Sequence, residues 1–323
     1  MKTFRFDGPD SGVYPVHLPI PEPGEGQVLI AVKAAGLCHS DAHFLTGHEI
    51  STGLKLPITL GHEVAGTVVK LGPGPSVVQI GDHVAVALLS HPAEQADWTT
   101  AIGLGYDGGY GEYALAHNDH LVKIPENVSF PEAAVATDSI STAYHAVLST
   151  AQVTSSTTVA ILGIGGLGMN AVMIAALQGA KVYGVDLNTA KYEDAKRCGT
   201  IACATTLEAF ANVTFDVIID FVGTTSTIST AISAVKISGT IVVVGLASST
   251  FEIRSSELVV RSITLKGSLG ASKTDLLNVL DLISTGKISP KLVEIPFDDV
   301  PNGLKALAEN KVEGRLFTRP CIE

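Results

Sequence analysis

Short apolar runs, separated by Gly, Pro and polar residues, divide the chain into two parts with different patterns of predicted secondary structure. In the first third, the runs at 28–35, 65–71 and 83–88 are rich in β-branched residues and are bounded by turn residues. Short strands of this kind predict a small β-barrel or sandwich. From about residue 140, apolar strands alternate with helical segments, which predicts a doubly wound parallel sheet.

The second part carries five predicted strands, at 158–163, 181–186, 215–220, 240–245 and 262–267. Beyond 272 the pattern predicts a helix, a strand and a second helix, at 273–285, 292–297 and 300–310. These last elements resemble the β-rich part more than the sheet. We therefore expect an α/β protein with two domains: a discontinuous β domain of residues 1–139 and 272–323, and a parallel-sheet domain of residues 140–271.

A glycine-rich turn follows the first strand of the predicted sheet and precedes a predicted helix at 169–178. Its sequence at 163–168 is Gly-Ile-Gly-Gly-Leu-Gly. The glycines allow the backbone to approach a pyrophosphate, whose charge is met by the free N–H groups at the helix start. Asp186 ends the next strand and suits the adenosine ribose hydroxyls. The turn therefore predicts a dinucleotide, and the charge of Asp186 favours NAD(H) over NADP(H), although nearby Lys191 could reach a phosphate.

Metal-ligating side chains occur in the β-rich part. Cys38, His39, Ser40 and His43 lie within six residues, and His62 and Glu63 follow. Thiolate and imidazole suit Zn²⁺, and a catalytic zinc keeps three protein ligands and one open position. Asp138 offers a third ligand. Each residue alone also has a structural interpretation: a buried small thiol for Cys38, a core histidine for His62, and the N-cap of the following helix for Asp138.

Composition narrows the class of protein. The net charge of −11 gives no basic surface for nucleic acid. No apolar run approaches the roughly 20 residues that span a bilayer, and residues 1–20 lack the apolar segment of a signal peptide. Four cysteines are too few for a disulfide scaffold. We expect a cytoplasmic enzyme with a small-molecule substrate and neither nucleic-acid nor membrane partners.

With these motifs in order, the chain resembles the zinc-dependent medium-chain alcohol dehydrogenases over essentially its whole length. The further motifs that carry the resemblance are Gly-Asp-His-Val at 81–84, Gly-Gly-Tyr-Gly-Glu-Tyr at 108–113, Thr-Ala-Tyr-His at 142–145 and Gly-Arg at 314–315. The resemblance implies a GroES-like β domain and a Rossmann domain, with a catalytic zinc in the cleft between them. It also implies NAD(H) as cofactor, and a homodimer or homotetramer.

The resemblance assigns roles to the metal-binding part. Cys38, His62 and Asp138 would be the zinc ligands, with Asp138 where many members have cysteine. Glu63 would be the carboxylate that exchanges with a ligand or orients the ligands. Ser40 would take the substrate proton, and His43 would be the outer end of a proton relay.

The resemblance also implies a set of cofactor-binding residues. His39 would lie near the pyrophosphate and Thr142 near the nicotinamide ring. The rest of the set contains the glycine turn, the ribose-binding strand end, and residues of later loops: Gly163, Gly165, Gly166, Leu167, Gly168, Asp186, Lys191, Val222, Val244, Gly245, Leu269 and Arg315.

One departure from the family pattern is large. Many members bind a structural zinc through four cysteines between the motifs at 81 and 108, but residues 89–107 contain no cysteine. A second zinc is therefore not expected, and substrate range and subunit contacts are not transferable. Leu88 and Trp98 are candidate pocket walls, although Trp98 also suits a packing role.

We therefore expect a single-zinc, NAD(H)-dependent enzyme that interconverts an alcohol and an aldehyde or ketone. Two alternatives use the same scaffold. One is a reductase of activated double bonds, and the other is a non-redox cyclase, dehydratase or binding protein of a biosynthetic pathway. The complete set of candidate ligands and relay residues favours the first.

Overall fold

The computed structural model describes residues 1–47 and 54–320. It divides the chain into two compact units, one of Met1–Ser141 with Gly270–Glu323 and one of Thr142–Leu269. These bounds lie two residues from those predicted from the sequence. None of the helices in the described ranges is long and apolar enough to cross a membrane.

The described residues form sixteen strands and nine α-helices. The strands are β1 (Lys2–Phe6), β2 (Val13–His17), β3 (Gln27–Gly36), β4 (Ile58–Thr59), β5 (Glu63–Leu71), β6 (His83–Val86), β7 (Tyr113–His117), β8 (Leu121–Lys123), β9 (Thr158–Leu162), β10 (Lys181–Val185), β11 (Thr200–Ala204), β12 (Phe215–Asp220), β13 (Val235–Val243), β14 (Thr264–Gly267), β15 (Leu292–Ile295) and β16 (Arg315–Thr318). The helices are α1 (His39–Leu45), α2 (Phe130–Val135), α3 (Ser141–Tyr144), α4 (Gly166–Leu177), α5 (Tyr192–Arg197), α6 (Thr225–Ala234), α7 (Ser255–Val260), α8 (Lys273–Ser284) and α9 (Val300–Ala308).

The first unit contains two sheets. Seven strands form the larger sheet in the order β15-β16-β3-β5-β6-β8, with β7 paired to β3. The smaller sheet has the order β2-β1-β4. Strands β15 and β16 come from the end of the chain, and β16 pairs antiparallel with β3 through Thr318 and Ala35. Alternating apolar residues of β3 and β5 are fully buried and form the core of this unit.

The second unit is built on one six-stranded parallel sheet in the order β11-β10-β9-β12-β13-β14. This is the strand order of dinucleotide-binding folds, in which ligands bind where the order reverses, between β9 and β12. The predicted α/β fold class is confirmed by this sheet and by the β-rich first unit. The central strands are apolar and buried, as Val159, Ile161 and Ile219 illustrate.

In the second unit, two strands differ clearly from the sequence prediction. The sequence does not predict β11, because it is a short edge strand, Thr-Ile-Ala-Cys-Ala, in which only Thr200 is buried. β13 begins at Val235, earlier than predicted, because Val235 already pairs with Phe215 before the register shifts.

Candidate metal centre and nucleotide-binding site

The pairing of β3 with β5 places two candidate metal ligands next to each other. Gly36 is opposite Glu63 in the register, so Cys38, two residues past β3, lies close to His62, the residue before β5. This proximity requires glycine at 36, because a Cβ atom there would lie 1.9 Å from Oε2 of Glu63.

The third candidate ligand, Asp138, lies on a π-helical turn that follows α2. The turn spans Ala136–Ile140 and continues directly into α3. Asp138 is therefore inside a helical segment, and its interpretation as an N-cap is wrong; Ser129 caps the preceding helix α2 through the N–H of Glu132. Wide turns of this type are frequent at functional sites, because the extra residue turns a side chain out of the regular helical ladder.

The three side chains converge in a buried cluster. One ligand atom of each residue, Cys38, His62 and Asp138, lies within 4.8 Å of the others. Oδ2 of Asp138 is 3.5 Å from Sγ of Cys38 and 3.6 Å from Nε2 of His62. A thiolate, an imidazole and a carboxylate at this separation suit tetrahedral zinc with one open position. The residues present therefore fit the metal that the sequence predicts.

Glu63 is held in place by an arginine from the other end of the chain. Nε and Nη2 of Arg315 donate to its two oxygens at 3.0 and 2.5 Å, and the N–H of Ser139 donates at 2.9 Å. Nη2 of Arg315 also lies 3.7 Å from Oδ2 of Asp138. All these groups are buried. Burial raises the pKa of Glu63, and the Arg315 guanidinium opposes that shift. Because Glu63 lies on β5 and Arg315 on β16, and Glu63 also binds Ser139, these contacts connect both strands to the turn that carries Asp138.

A second buried carboxylate, Asp41, lies behind His62. The hydroxyl of Tyr110 donates to Oδ2 of Asp41 at 2.7 Å, and Nδ1 of His62 lies 3.3 Å from Oδ1 without hydrogen-bond geometry. Burial and the charge of Asp41 raise the pKa of Tyr110 well above its usual range, so its hydroxyl stays protonated and donates. The ring of Tyr110 fits against Gly61, where a Cβ atom would lie 2.7 Å from the ring.

The charge balance of the cluster favours a cation. Burial lowers the pKa of His62, but the charges of Asp41 and Cys38 and the hydrogen bond with Asp138 outweigh that effect and raise it well above its usual range. In the absence of metal, a proton on His62 would therefore serve as the cation of the cluster. Zinc binding would replace that proton, since a ligating imidazole must be neutral.

The candidate proton-transfer residues all lie on α1. Oγ of Ser40 is 3.6 Å from Sγ of Cys38, so the hydroxyl is adjacent to the metal cluster. His39 is exposed and His43 is half-buried, with their ring centroids 6.3 Å apart. One helix turn thus carries a hydroxyl beside the cluster and two imidazoles nearer to solvent.

The second unit contains the glycine turn in the expected context. Gly163 follows β9 with a φ of +79°. Gly165 is the N-cap of α4, whose first two residues are Gly166 and Leu167. A Cβ atom on Gly168 would lie 1.9 Å from the carbonyl oxygen of Gly163. The helix begins earlier than predicted, and its free N–H groups face the turn where a pyrophosphate binds in this fold.

Asp186 follows β10 and is fixed by three neighbours. Its side chain accepts the N–H of Asn188 at 2.8 Å and Nζ of Lys191 at 2.9 Å. Its backbone oxygen accepts the hydroxyl of Tyr192. Lys191, which was considered as a phosphate-binding group, is therefore paired with the carboxylate that repels a 2′-phosphate.

The remaining predicted cofactor residues lie on three loops and a helix of this unit. Val222 is next to Gly163, since a Cβ atom on Gly163 would lie 2.7 Å from its Cγ2. Val244 and Gly245 donate to the backbone oxygen of Asp220. Thr142 is buried on α3 and Leu269 is exposed after β14. Arg315 belongs to the first unit and binds Glu63, so its cofactor role stays a prediction.

Sequence reasoning assigned no role to three residues that the structure connects to these sites. Asp41 lies between the candidate residues Ser40 and His43, and Tyr110 lies in the motif at 108–113, but their contact joins positions 69 residues apart, and no local pattern reveals it. Asp220 ends an apolar strand at the point where the order of the sheet reverses. A carboxylate at such a strand end is the signal that could have identified it.

Comparison with known proteins agrees with both units. Residues 24–126 match the alcohol dehydrogenase GroES-like domain family, and residues 166–285 match the zinc-binding dehydrogenase family. An alcohol dehydrogenase of Geobacillus stearothermophilus is 30% identical, over 93% of this chain and 94% of its own. An NAD-dependent alcohol dehydrogenase of Sulfurisphaera tokodaii is 31% identical, over 94% and 95%.

A solved structure shows the same likeness. Acetophenone reductase from Geotrichum candidum, in complex with NAD, superimposes with a TM-score of 0.89 at 31% identity, over 98% of this chain and 96% of its own. The chain belongs to the zinc-dependent medium-chain alcohol dehydrogenase family. Its class is that of an NAD-dependent oxidoreductase with a zinc site.

Proposed function

We propose that the protein interconverts an alcohol and an aldehyde or ketone, with zinc held by Cys38, His62 and Asp138 and NAD(H) bound at the glycine turn. The observation that carries the proposal is the buried cluster of three ligand atoms within 4.8 Å, in a chain whose other unit has the dinucleotide strand order. The predicted domain roles follow: the discontinuous unit carries the metal site and the continuous unit binds the cofactor.

The bound zinc and cofactor would supply one part of the chemistry, and the side chains of the protein supply the other. When bound, zinc would supply a Lewis acid for the substrate oxygen, and the nicotinamide would supply the hydride acceptor or donor. Ser40, adjacent to Cys38, removes or returns the substrate proton. A serine hydroxyl is too weak a base to keep that proton, so His43 exchanges it with solvent. Glu63 orients the turn of Asp138 through Ser139.

Metal and cofactor analysis tests the proposal. Purified protein should contain about one Zn²⁺ per chain and should oxidise an alcohol with formation of NADH absorbance. Cys38→Ser should lose both zinc and activity without unfolding, because the site sits on a packed sheet; Cys198→Ser, a half-buried thiol of the other unit, is the matched control. Protein that holds no zinc after mild purification, yet reduces an activated double bond, would instead support the reductase alternative. This alternative is motivated by one relative, an acryloyl-coenzyme A reductase of Sulfurisphaera tokodaii that is 28% identical.

Self-association is a further part of the proposal. β14 is one of the two edge strands of the six-stranded sheet. Ile237 on β13, and Val259 and Val260 on α7, the helix before β14, are 69%, 77% and 80% exposed. An exposed strand edge with apolar neighbours can pair with its copy across a two-fold axis. Light scattering should give a multimer that Val260→Glu dissociates; a monomeric wild-type protein would contradict this part alone.

A cytoplasmic location is also proposed, supported by the thiols of Cys38, Cys198 and Cys203, which form no disulfide bond.

A further inference from the structure

Asp220 is a buried carboxylate that neither the metal chemistry nor the ribose contact uses. It ends β12, opposite Leu162 at the end of β9, and its residue is fully buried. In the described part of the chain, no Lys, Arg or His side chain lies within ion-pair distance of it. A buried charge without a cation is costly unless hydrogen bonds satisfy it.

Three donors satisfy this carboxylate, and two of them are backbone groups of the following loop. Oδ1 accepts the N–H of Val222 at 2.8 Å and that of Gly223 at 3.0 Å, and Oδ2 accepts the hydroxyl of Thr227 at 2.6 Å. Thr227 lies in the first turn of α6. The carboxylate therefore fixes the loop between β12 and α6 at both ends.

The same residue also fixes the neighbouring loop. Its backbone oxygen accepts the N–H groups of Val244 and Gly245, the residues that follow β13. The two loops are joined further by bonds from Ala247 and Ser248 to the carbonyl groups of Val222 and Gly223. A side chain is excluded at their contact, because a Cβ atom on Gly223 would lie 1.9 Å from the oxygen of Gly245.

These two loops border the glycine turn at the point where the strand order reverses. Val222 occupies the space beside Gly163 that a side chain there would fill. In doubly wound sheets this crevice at the carboxyl ends of the strands is the ligand site. The shape of the crevice therefore depends on one carboxylate beneath it.

We propose that Asp220 is a positioning residue for the nicotinamide cofactor: it holds the loops at 221–224 and 244–248 in the conformation that the cofactor contacts. This inference rests on the proposed function, since it requires NAD(H) as the ligand of the crevice. Asp220 does not touch the cofactor; it acts through Val222, Gly223 and Gly245.

The test compares two aspartates of the same strand. Asp216 is the second residue of β12, accepts the N–H of Thr158 at 2.7 Å and pairs with Lys236, so Asp216→Asn removes a carboxylate at the opposite end of the same strand. Asp220→Asn keeps the side-chain size but leaves one oxygen for three donors. NADH binding is measured by fluorescence titration, and thermal unfolding of each variant is followed by circular dichroism.

Asp220→Asn should raise the Kd of NADH roughly tenfold, the scale of one lost hydrogen bond to a charged acceptor, whereas Asp216→Asn should leave it unchanged. Thr227→Val, which removes only the side-chain donor, should weaken binding in the same direction and provides the answer if Asp220→Asn fails to fold. An unchanged Kd in both Asp220→Asn and Thr227→Val, with only a lower melting temperature, overturns the inference. Wild-type protein that binds no NADH would overturn the proposed function and this inference together.

Discussion

Ser40 is the residue at which the proposed mechanism is most directly testable. Its hydroxyl lies beside Cys38 on a short helix that also carries His43. Ser40→Ala should lower kcat by roughly 10²-fold, the scale of a positioned proton-transfer group, while zinc content and NADH binding stay normal. Steady-state kinetics together with metal analysis measure this.

The outer end of the relay should behave differently. His43→Gln should reduce turnover less, and added buffer base should restore part of the rate, because water and buffer can replace a group nearer to solvent. Unchanged turnover in zinc-loaded Ser40→Ala enzyme would show that the reaction does not use this hydroxyl. The double-bond reductase or cyclase alternatives would then explain the site better.

Cofactor choice depends on a second residue. Asp186 is held by Asn188 and Lys191, so its carboxylate is fixed where a 2′-phosphate would have to bind. NAD(H) should bind more tightly than NADP(H), and Asp186→Ser should narrow the difference because the like-charge repulsion disappears. Parallel titrations with NADH and NADPH measure it, with Asp194→Ser on α5 as control. Tighter NADPH binding by the wild-type protein would contradict this prediction.

At the scale of elements, the cysteine-free segment at 89–107 keeps its conformation by hydrogen bonds. Two short 3₁₀ turns, Ala93–Gln95 and Trp98–Thr100, shape it. Asp97 accepts bonds from the N–H and hydroxyl of Thr99, and Trp98 packs against the core of the first unit. These contacts occupy the interval in which many family members bind a structural zinc.

Trp98 is the single tryptophan of the chain, so its fluorescence reports on this segment. Removing zinc with a chelator should abolish activity but leave the Trp98 emission maximum unchanged, because no ligand of the segment is lost. Re-addition of Zn²⁺ should restore activity, and recovery should be complete at about one Zn²⁺ per chain. A red shift of the emission on chelation would show that a metal supports the segment.

The elements show where sequence reasoning succeeds and where it stops. The central strands were predictable because their apolar runs are buried on both faces, and the glycine turn because glycine alone tolerates its backbone. Edge strand β11 lacks that pattern. Asp138 was recognisable as a candidate ligand, but its π-helical turn was not, since no local pattern distinguishes it from a capped helix start. The contacts of Asp41 with Tyr110 and of Glu63 with Arg315 form only when segments far apart in the chain come together in the fold.

At the scale of the whole molecule, Arg315 joins the end of the chain to the metal site. Arg315→Met should lower the free energy of unfolding by about 3–5 kcal/mol, because the buried charge of Glu63 is left without a partner. Arg319 is the matched control: it lies on the same segment and pairs with Glu294 at 3.4 Å on the surface, so Arg319→Met should cost less than about 1 kcal/mol. Guanidinium unfolding followed by circular dichroism measures both, and equal effects would mean that the buried pair contributes no more than the exposed one.

The position of Arg315 in the chain also determines when the metal site can mature. Glu63 and Arg315 are 252 residues apart, and synthesis proceeds from the N-terminus at about 5–20 residues per second. On the ribosome, Cys38, His62 and Asp138 emerge early, at a time when Glu63 still lacks its partner Arg315. The second unit is continuous and is complete before β16 exists. The pairing of Arg315 with Glu63 therefore comes only after the second unit has been synthesised, and a chain stalled before β16 would carry the three ligands without the arginine that fixes Glu63.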